Sequence, residues 1–158
     1  MNKYVSAVVC AGLLLAAPMT LAQGNAADAA DMQALRNAVR ADKKALVAST
    51  LNLTEAEGKK FWPIYDGYQR NLDLINRQRV LAVEGVIALD KPISDPFARN
   101  LSNQLIAADE AEIKARRTMH NKVMKALPPK KAARYLQLES KIRAFQAYDV
   151  ALAIPLVK

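Results

Sequence analysis

The chain has 158 residues, a length that suits one domain. Its residues are 52% hydrophobic but only 6% aromatic, and it carries 5 Gly and 7 Pro. That is too apolar for a disordered chain and too poor in Gly for an all-β sandwich with its many turns. The formal net charge is +8, and its distribution matters more than its sum.

Met1 to Ala22 has the pattern of a secretory signal peptide. Lys3 supplies the positive n-region, Val5 to Ala17 is a short apolar run, and Thr20-Leu21-Ala22 places small residues at the cleavage positions. The run is too short to span a bilayer. Cys10 lies inside it behind Val8-Val9, where a lipidation site needs a small residue, so no lipid anchor is expected. Cleavage after Ala22 leaves a chain without cysteine, which excludes disulfides, thiol redox chemistry and Cys-ligated metals. The expected compartment is the periplasm, or the exterior if there is none.

Gln23 to Ala30 lacks periodicity and is expected to be a mobile leader, with a single helical domain over 31–158. Asp31 is suited to cap a first helix with Met32, Leu35, Val39 and Leu46 on one side, ending near Thr50. In Leu53-Thr54-Glu55-Ala56-Glu57, Thr54 and Glu57 have capping-box spacing, each side chain satisfying an orphan amide of the first turn. Phe61, Tyr65, Tyr68, Leu72, Ile75, Ala82, Val83 and Val86 then follow in helical steps, predicting a helix from 55 to about 88. Pro63 falls within it and is expected to bend its first turns.

Asp90-Lys91-Pro92-Ile93 is expected to turn the chain, and Ser94 to cap a third helix with Pro96 in its first turn. This helix runs to about Ala126, with Phe97, Leu101, Leu105, Ala108, Met119 and Val123 inward. Glu110–Lys114 and Glu112–Arg116 have the spacing of i,i+4 ion pairs. Leu127-Pro128-Pro129 stops it and opens a fourth helix, with Tyr135, Leu138, Ile142, Phe145 and Leu152 on one face and Pro155 at its end. Leu53-Thr54-Glu55 and Leu127-Pro128-Pro129 echo one another as helix starts. No strand pattern survives. The predicted fold is all-α, a long antiparallel helical hairpin with two shorter flanking helices.

The residues offer little for catalysis. His120 is the only histidine, on the margin of an apolar face, which suits a structural residue better than a ligand. The serines at 49, 94, 102 and 140 have neither a glycine elbow nor a base. The carboxylate clusters Glu55/Glu57 and Asp109/Glu110/Glu112 have local structural explanations. No phosphate loop, Ca²⁺ loop or dinucleotide fingerprint occurs. Neither an enzyme nor a cofactor or metal is expected.

Charge separates along the chain. Residues 23–113 carry 11 basic and 13 acidic side chains, whereas 114–158 carry 11 basic and 2 acidic. Two readings fit: a solubilising face, or a docking surface where cations speed encounter and apolar side chains hold the partner. The candidate client-binding residues are Lys130, Lys131, Arg134, Tyr135, Leu138, Lys141, Ile142, Arg143 and Phe145. Export argues against nucleic acid, while anionic lipid headgroups stay open. A second cluster, Phe61, Trp62, Pro63, Tyr65 and Tyr68, is expected to be mainly core. Trp62 points away from Phe61 and covers either the first helix or a partner.

A signal peptide, a basic all-helical chain and a Leu53-Thr54-x-x-Glu57 helix start resemble the Spy/CpxP-type periplasmic proteins, whose recurring element is Leu-Thr-x-x-Gln. Leu127-Pro128-Pro129-Lys130-Lys131 resembles a poorer second copy. Phe61-Trp62-Pro63-Ile64-Tyr65-Asp66 and the ending Tyr148 to Val157 resemble a signal-bearing helical subgroup. The resemblance implies an ATP-independent chaperone or envelope-stress accessory, binding unfolded or partly folded envelope proteins. It also implies cradle-shaped homodimers, and it carries over no metal site, since the histidines used by relatives are missing here. The alternatives are an accessory that binds the periplasmic domain of a membrane sensor and a structural envelope protein on anionic lipid.

Overall fold

The computed structural model describes residues 20–87, 92–153 and 156. They form four helices: α1 (Thr20–Leu51), α2 (Glu55–Ile87), α3 (Asp95–Ala126) and α4 (Pro129–Ala153). The all-α class and the four-helix order are those expected. Residues 1–19, with Lys3 and Cys10, Asp90-Lys91 and Pro155 lie outside the described residues.

Local signals account for most helix ends. The capping box at the start of α2 is formed: Thr54 N–H donates to Glu57 Oε2 at 2.8 Å, and Glu57 N–H donates to Thr54 Oγ1 at 3.3 Å. Asn52 closes α1 with a φ of 44°, the left-handed conformation that Asn tolerates better than most residues. Ser94 holds the N-cap position of α3 with extended backbone, but its hydroxyl makes no cap hydrogen bond. Pro128 launches α4 through its carbonyl, which accepts from Lys131 N–H at 2.9 Å and Ala132 N–H at 3.0 Å. Helix α2 continues through Pro63.

Three expectations need correction. First, α1 starts at Thr20, not Asp31, so 23–30 are helical; Ala26, Ala27, Ala29 and Ala30 are strong helix formers. The cleavage point expected after Ala22 falls inside this helix. Second, α1 is not a short flanking helix, since it has 32 residues, as many as α3; only α4, with 25, is shorter. Third, α1 is two helices merged across a kink at Asp42, where φ is −161° and ψ 99°. Asp42 Oδ1 accepts from Ala45 N–H at 2.9 Å, so the side chain caps a second helix inside the first.

Side-chain pairs set the topology. Helix α1 runs antiparallel to α4, because Arg36 meets Asp149, Lys43 meets Glu139 and Thr50 meets Arg134. Helix α2 runs antiparallel to α3, with Arg79 against Asp109 and Glu112, and Phe97 against Gly85. Helices α2 and α4 are parallel neighbours, Glu57 facing Lys131 and Gln69 facing Glu139. The core lies where all four pass: Val47, Leu51, Phe61, Tyr65, Val123, Leu127, Tyr135, Leu138 and Ile142 are buried. Phe61 and Tyr135 meet edge to face, ring centroids 4.9 Å apart and planes at 88°. Toward the far end of the α2–α3 hairpin, burial fades. Leu72, Ala82, Val83, Leu101 and Leu105 are only half-buried, and Phe97 is exposed although its spacing placed it inward.

Candidate client-binding surface

The cationic stretch does not form one free surface. Lys131 is a fastener. Its Nζ donates to the Asn52 carbonyl at 2.8 Å and to Glu57 Oε2 at 2.7 Å. One ammonium thus satisfies the C-terminal end of α1 and braces the capping box of α2, a favourable place for a cation. The Lys131 hydrogen bond, followed by the one from the Thr54 amide, holds the Glu57 carboxyl below the usual carboxylate range. The two echoing helix starts therefore meet in space, joined through Lys131. Arg134 Nη1 leans on the Thr50 carbonyl at 3.4 Å.

A second polar cluster lies deeper. Glu139 is 4% exposed, in the middle of an otherwise apolar face. Lys43 Nζ donates to its Oε2 at 3.1 Å, and Gln69 Nε2 and Tyr135 Oη donate to its Oε1 at 3.2 Å each. Gln69 Oε1 accepts a second bond from Lys43 at 3.0 Å, closing the network. Helices α1, α2 and α4 all contribute, so the buried charge is paired and saturated. Burial, with the nearby Glu139 charge second, pushes the Tyr65 hydroxyl up to about 12 and raises Tyr135 and Tyr68 further.

Arg143 is engaged as well. Its Nε bonds Glu112, whose other oxygen receives Arg79 at 2.6 Å; Arg79 also reaches Asp109 at 2.6 Å. Glu112 thus ties α2, α3 and α4. The expected pairs Glu110–Lys114 and Glu112–Arg116 are not among the ion pairs of the described residues; Glu112 is buried and pairs with Arg79 and Arg143 instead.

Of the candidate client-binding residues, Tyr135, Leu138, Ile142 and Phe145 are core and cannot reach a partner in this arrangement, since they face α1 and α2. Lys131, Arg134 and Arg143 hold the fold together. Among these candidates, Lys130 and Lys141 are exposed cations with neither a hydrogen bond nor an ion pair among the described residues. The aromatic cluster separates as expected: Phe61, Tyr65 and Tyr68 are buried. Trp62 covers α1 rather than pointing free. Lys44 of α1 lies 5.2 Å from its ring centroid while bonding Asp66 at 2.8 Å. Gly58 lets the indole lie flat, since a Cβ there would sit 3.3 Å from Trp62 Nε1.

Spacing alone left Glu139 unnoticed, although a signal was present. It falls four residues after Tyr135 and three before Ile142, a core position on α4 and one of only two acids after residue 113. An acid on an apolar stripe requires a partner.

Large apolar side chains stand outside the core. Leu74, Leu81, Ile106 and Ile113 on the α2–α3 hairpin, and Tyr148 and Leu152 on α4, are each more than half exposed. Exposed cations accompany them: Arg70 and Arg77 beside Leu74, and Lys114 and Arg117 beside Ile113, none ion-paired among the described residues. A depression of about 470 Å³ between α2 and α3 is lined by Ile64, Tyr68, Asn71, Lys114, Met119 and Lys122, among others. His120 is half-buried, and its Nδ1 is buried without a hydrogen-bond partner. Among the described residues no group of three or more His, Cys, Asp or Glu is placed to hold a metal, and no helix is long and apolar enough to cross a membrane.

No family model matches this chain, and no curated protein or solved structure does either.

Proposed function

We propose that the protein is a non-enzymatic, exported helical binder of unfolded or partly folded proteins, an ATP-independent chaperone or envelope-stress accessory of Spy/CpxP character. The observation that carries this reading is the set of exposed apolar side chains interleaved with unpaired cations along α2, α3 and α4. Leu74, Leu81, Ile106 and Ile113 offer dispersed apolar anchors, and Arg70, Arg77, Lys114, Arg117, Lys130 and Lys141 offer positive charge around them. Dispersed anchors suit clients without fixed shape, because they do not impose the sequence requirement that a single pocket would. Cations raise the encounter rate with acidic chains, in a salt-dependent way.

The test is suppression of aggregation of a reduced, denatured acidic protein at equimolar ratio, with wild type and a Lys130→Glu/Lys141→Glu variant. Suppression by wild type, weakened by salt and by the variant at unchanged melting temperature, supports the reading. Undiminished aggregation with wild type rejects it. Stoichiometric retention of one membrane sensor domain from envelope extract, without such suppression, moves the function to the regulatory accessory.

A further inference from the structure

The kink at Asp42 divides α1 into parts that are attached very differently. Residues 43–51 begin with their own cap, carry Lys43 into the Glu139 network and bury Val47 and Leu51 almost completely. They need nothing from the helix before them. Among residues 31–41 no side chain is buried. Met32, Leu35 and Val39 only half-cover the core. Their polar attachment is Arg36 on Asp149 at 2.9 Å, with Arg40 at 3.9 Å from the same carboxylate. The Arg36 guanidinium lies 5.4 Å from the Phe145 ring centroid, and its Nε is buried without a partner, so even this anchor is imperfect. The register fixed by Arg36–Asp149 and Lys43–Glu139 lays 32–40 over the end of the apolar stripe that includes Phe145.

We infer that residues 31–41 are a displaceable arm, hinged at Asp42, filling a groove on α4 that also accepts a client segment. This rests on the client-binding reading above. The groove's chemistry defines its occupant: an amphipathic helical segment with apolar residues at the spacing of Met32, Leu35 and Val39, and a cation one position after the middle one. That cation takes the place of Arg36, over Phe145 and on Asp149. A lifted arm loses its packing, and the stretch of α1 before Asp42 frays without it, because packing rather than propensity supplies most helical stability in a protein, so opening lowers its amide protection. The tether keeps the arm at roughly millimolar effective concentration, so a competing segment binds tightly only when the arm is weakened.

The experiment uses the full chain and a labelled, end-blocked peptide of residues 31–42. A Leu35→Ala/Arg36→Ala variant loosens the arm but leaves the groove and Asp149 intact. Anisotropy should show the peptide binding this variant at least about tenfold more tightly than wild type, because apparent affinity scales with the fraction open. Amide exchange in wild type should be faster over 31–41 than over 43–51. Equal peptide affinity for the two proteins, or equal protection of the two segments, overturns the proposal.

An Arg40→Cys/Gln146→Cys protein in a Cys10→Ser background, its two exposed positions lying between the Arg36–Asp149 and Lys43–Glu139 pairs and leaving both in place, is joined by a cleavable bismaleimide and supplies a second measurement should the first variant fold poorly. The joined form should reject the peptide and the cleaved form accept it, and equal binding by both overturns the arm. A denatured client captured equally by joined and cleaved forms overturns the arm but leaves client binding standing. A peptide switch without capture of any client keeps the arm and removes the client-binding reading.

Discussion

The end of the bundle where the turns after α1 and α3 meet differs sharply from the far end of the α2–α3 hairpin. At the first, four helices pass, and Leu51, Phe61, Val123 and Tyr135 are at most 1% exposed. At the second, two helices pass, and Leu81 and Ile106 are 68% and 60% exposed. Apolar residues recur at helical spacing in both regions. Periodicity chooses the face a helix turns inward, but the number of neighbouring helices decides whether that face is covered. The first end supplies rigidity and the second supplies accessible surface.

Replacing a residue at the four-helix end should break this contrast most. Tyr135→Ala removes a fully buried ring from against Phe61 and withdraws one donor from Glu139, so it should cost about 3–5 kcal/mol in chemical denaturation. Next is the polar network. Lys43→Met leaves Glu139 buried and uncompensated and should cost roughly 3 kcal/mol, whereas Lys43→Met with Glu139→Leu should recover most of that. A double variant no better than the single one would mean that the network's worth lies in the Gln69 and Tyr135 bonds.

Thr54→Ala removes one side of the capping box and should cost about 1 kcal/mol. At the far end, Leu81→Ala should stay within about 0.5 kcal/mol, because its side chain is already in water. A large loss there would reveal a cover over the hairpin and erase the difference between the ends.

Acid and alkali sharpen the comparison without mutation. The Glu57 carboxyl titrates below its ordinary 4.5, so its contribution is present above that value and is lost as pH falls through the depressed one. The Tyr65 hydroxyl is raised from 10.0 to about 12, so its contribution is complete below pH 10 and disappears as pH climbs toward 12. The absorbance step missing from a Tyr65→Phe protein should accordingly have its midpoint near pH 12.

Helix ends were legible wherever a local group marks them: Thr54 and Glu57 for α2, Pro128 and Pro129 between α3 and α4. The internal break at Asp42 was not, because an aspartate within a helical pattern reads equally as an exposed side chain or as a cap. The beginning of α1 was missed because alanine-rich sequence has no face and still propagates a helix. For the candidate surface, counting charge located the cations but not their duties. Lys131, Arg134 and Arg143 find acceptors on Glu57, Asn52, Thr50 and Glu112, residues distant in sequence. The stripe Tyr135, Leu138, Ile142 and Phe145 is visible in the sequence as a face, but its burial depends on helices far along the chain.

Glu139 has a consequence for how the helices find their alignment. Apolar faces alone slide past one another at little cost, because one leucine-sized side chain replaces another. Moving α4 by one turn, about 5.4 Å, along α1 would bring Lys43 opposite either Tyr135 or Arg143. The first leaves an ammonium without a carboxylate and the second sets two positive charges together, so only one position along the slide neutralises Lys43. The carboxylate acts as a notch that stops the helices in a single place, at the residue where the arm before Asp42 parts from the bundle.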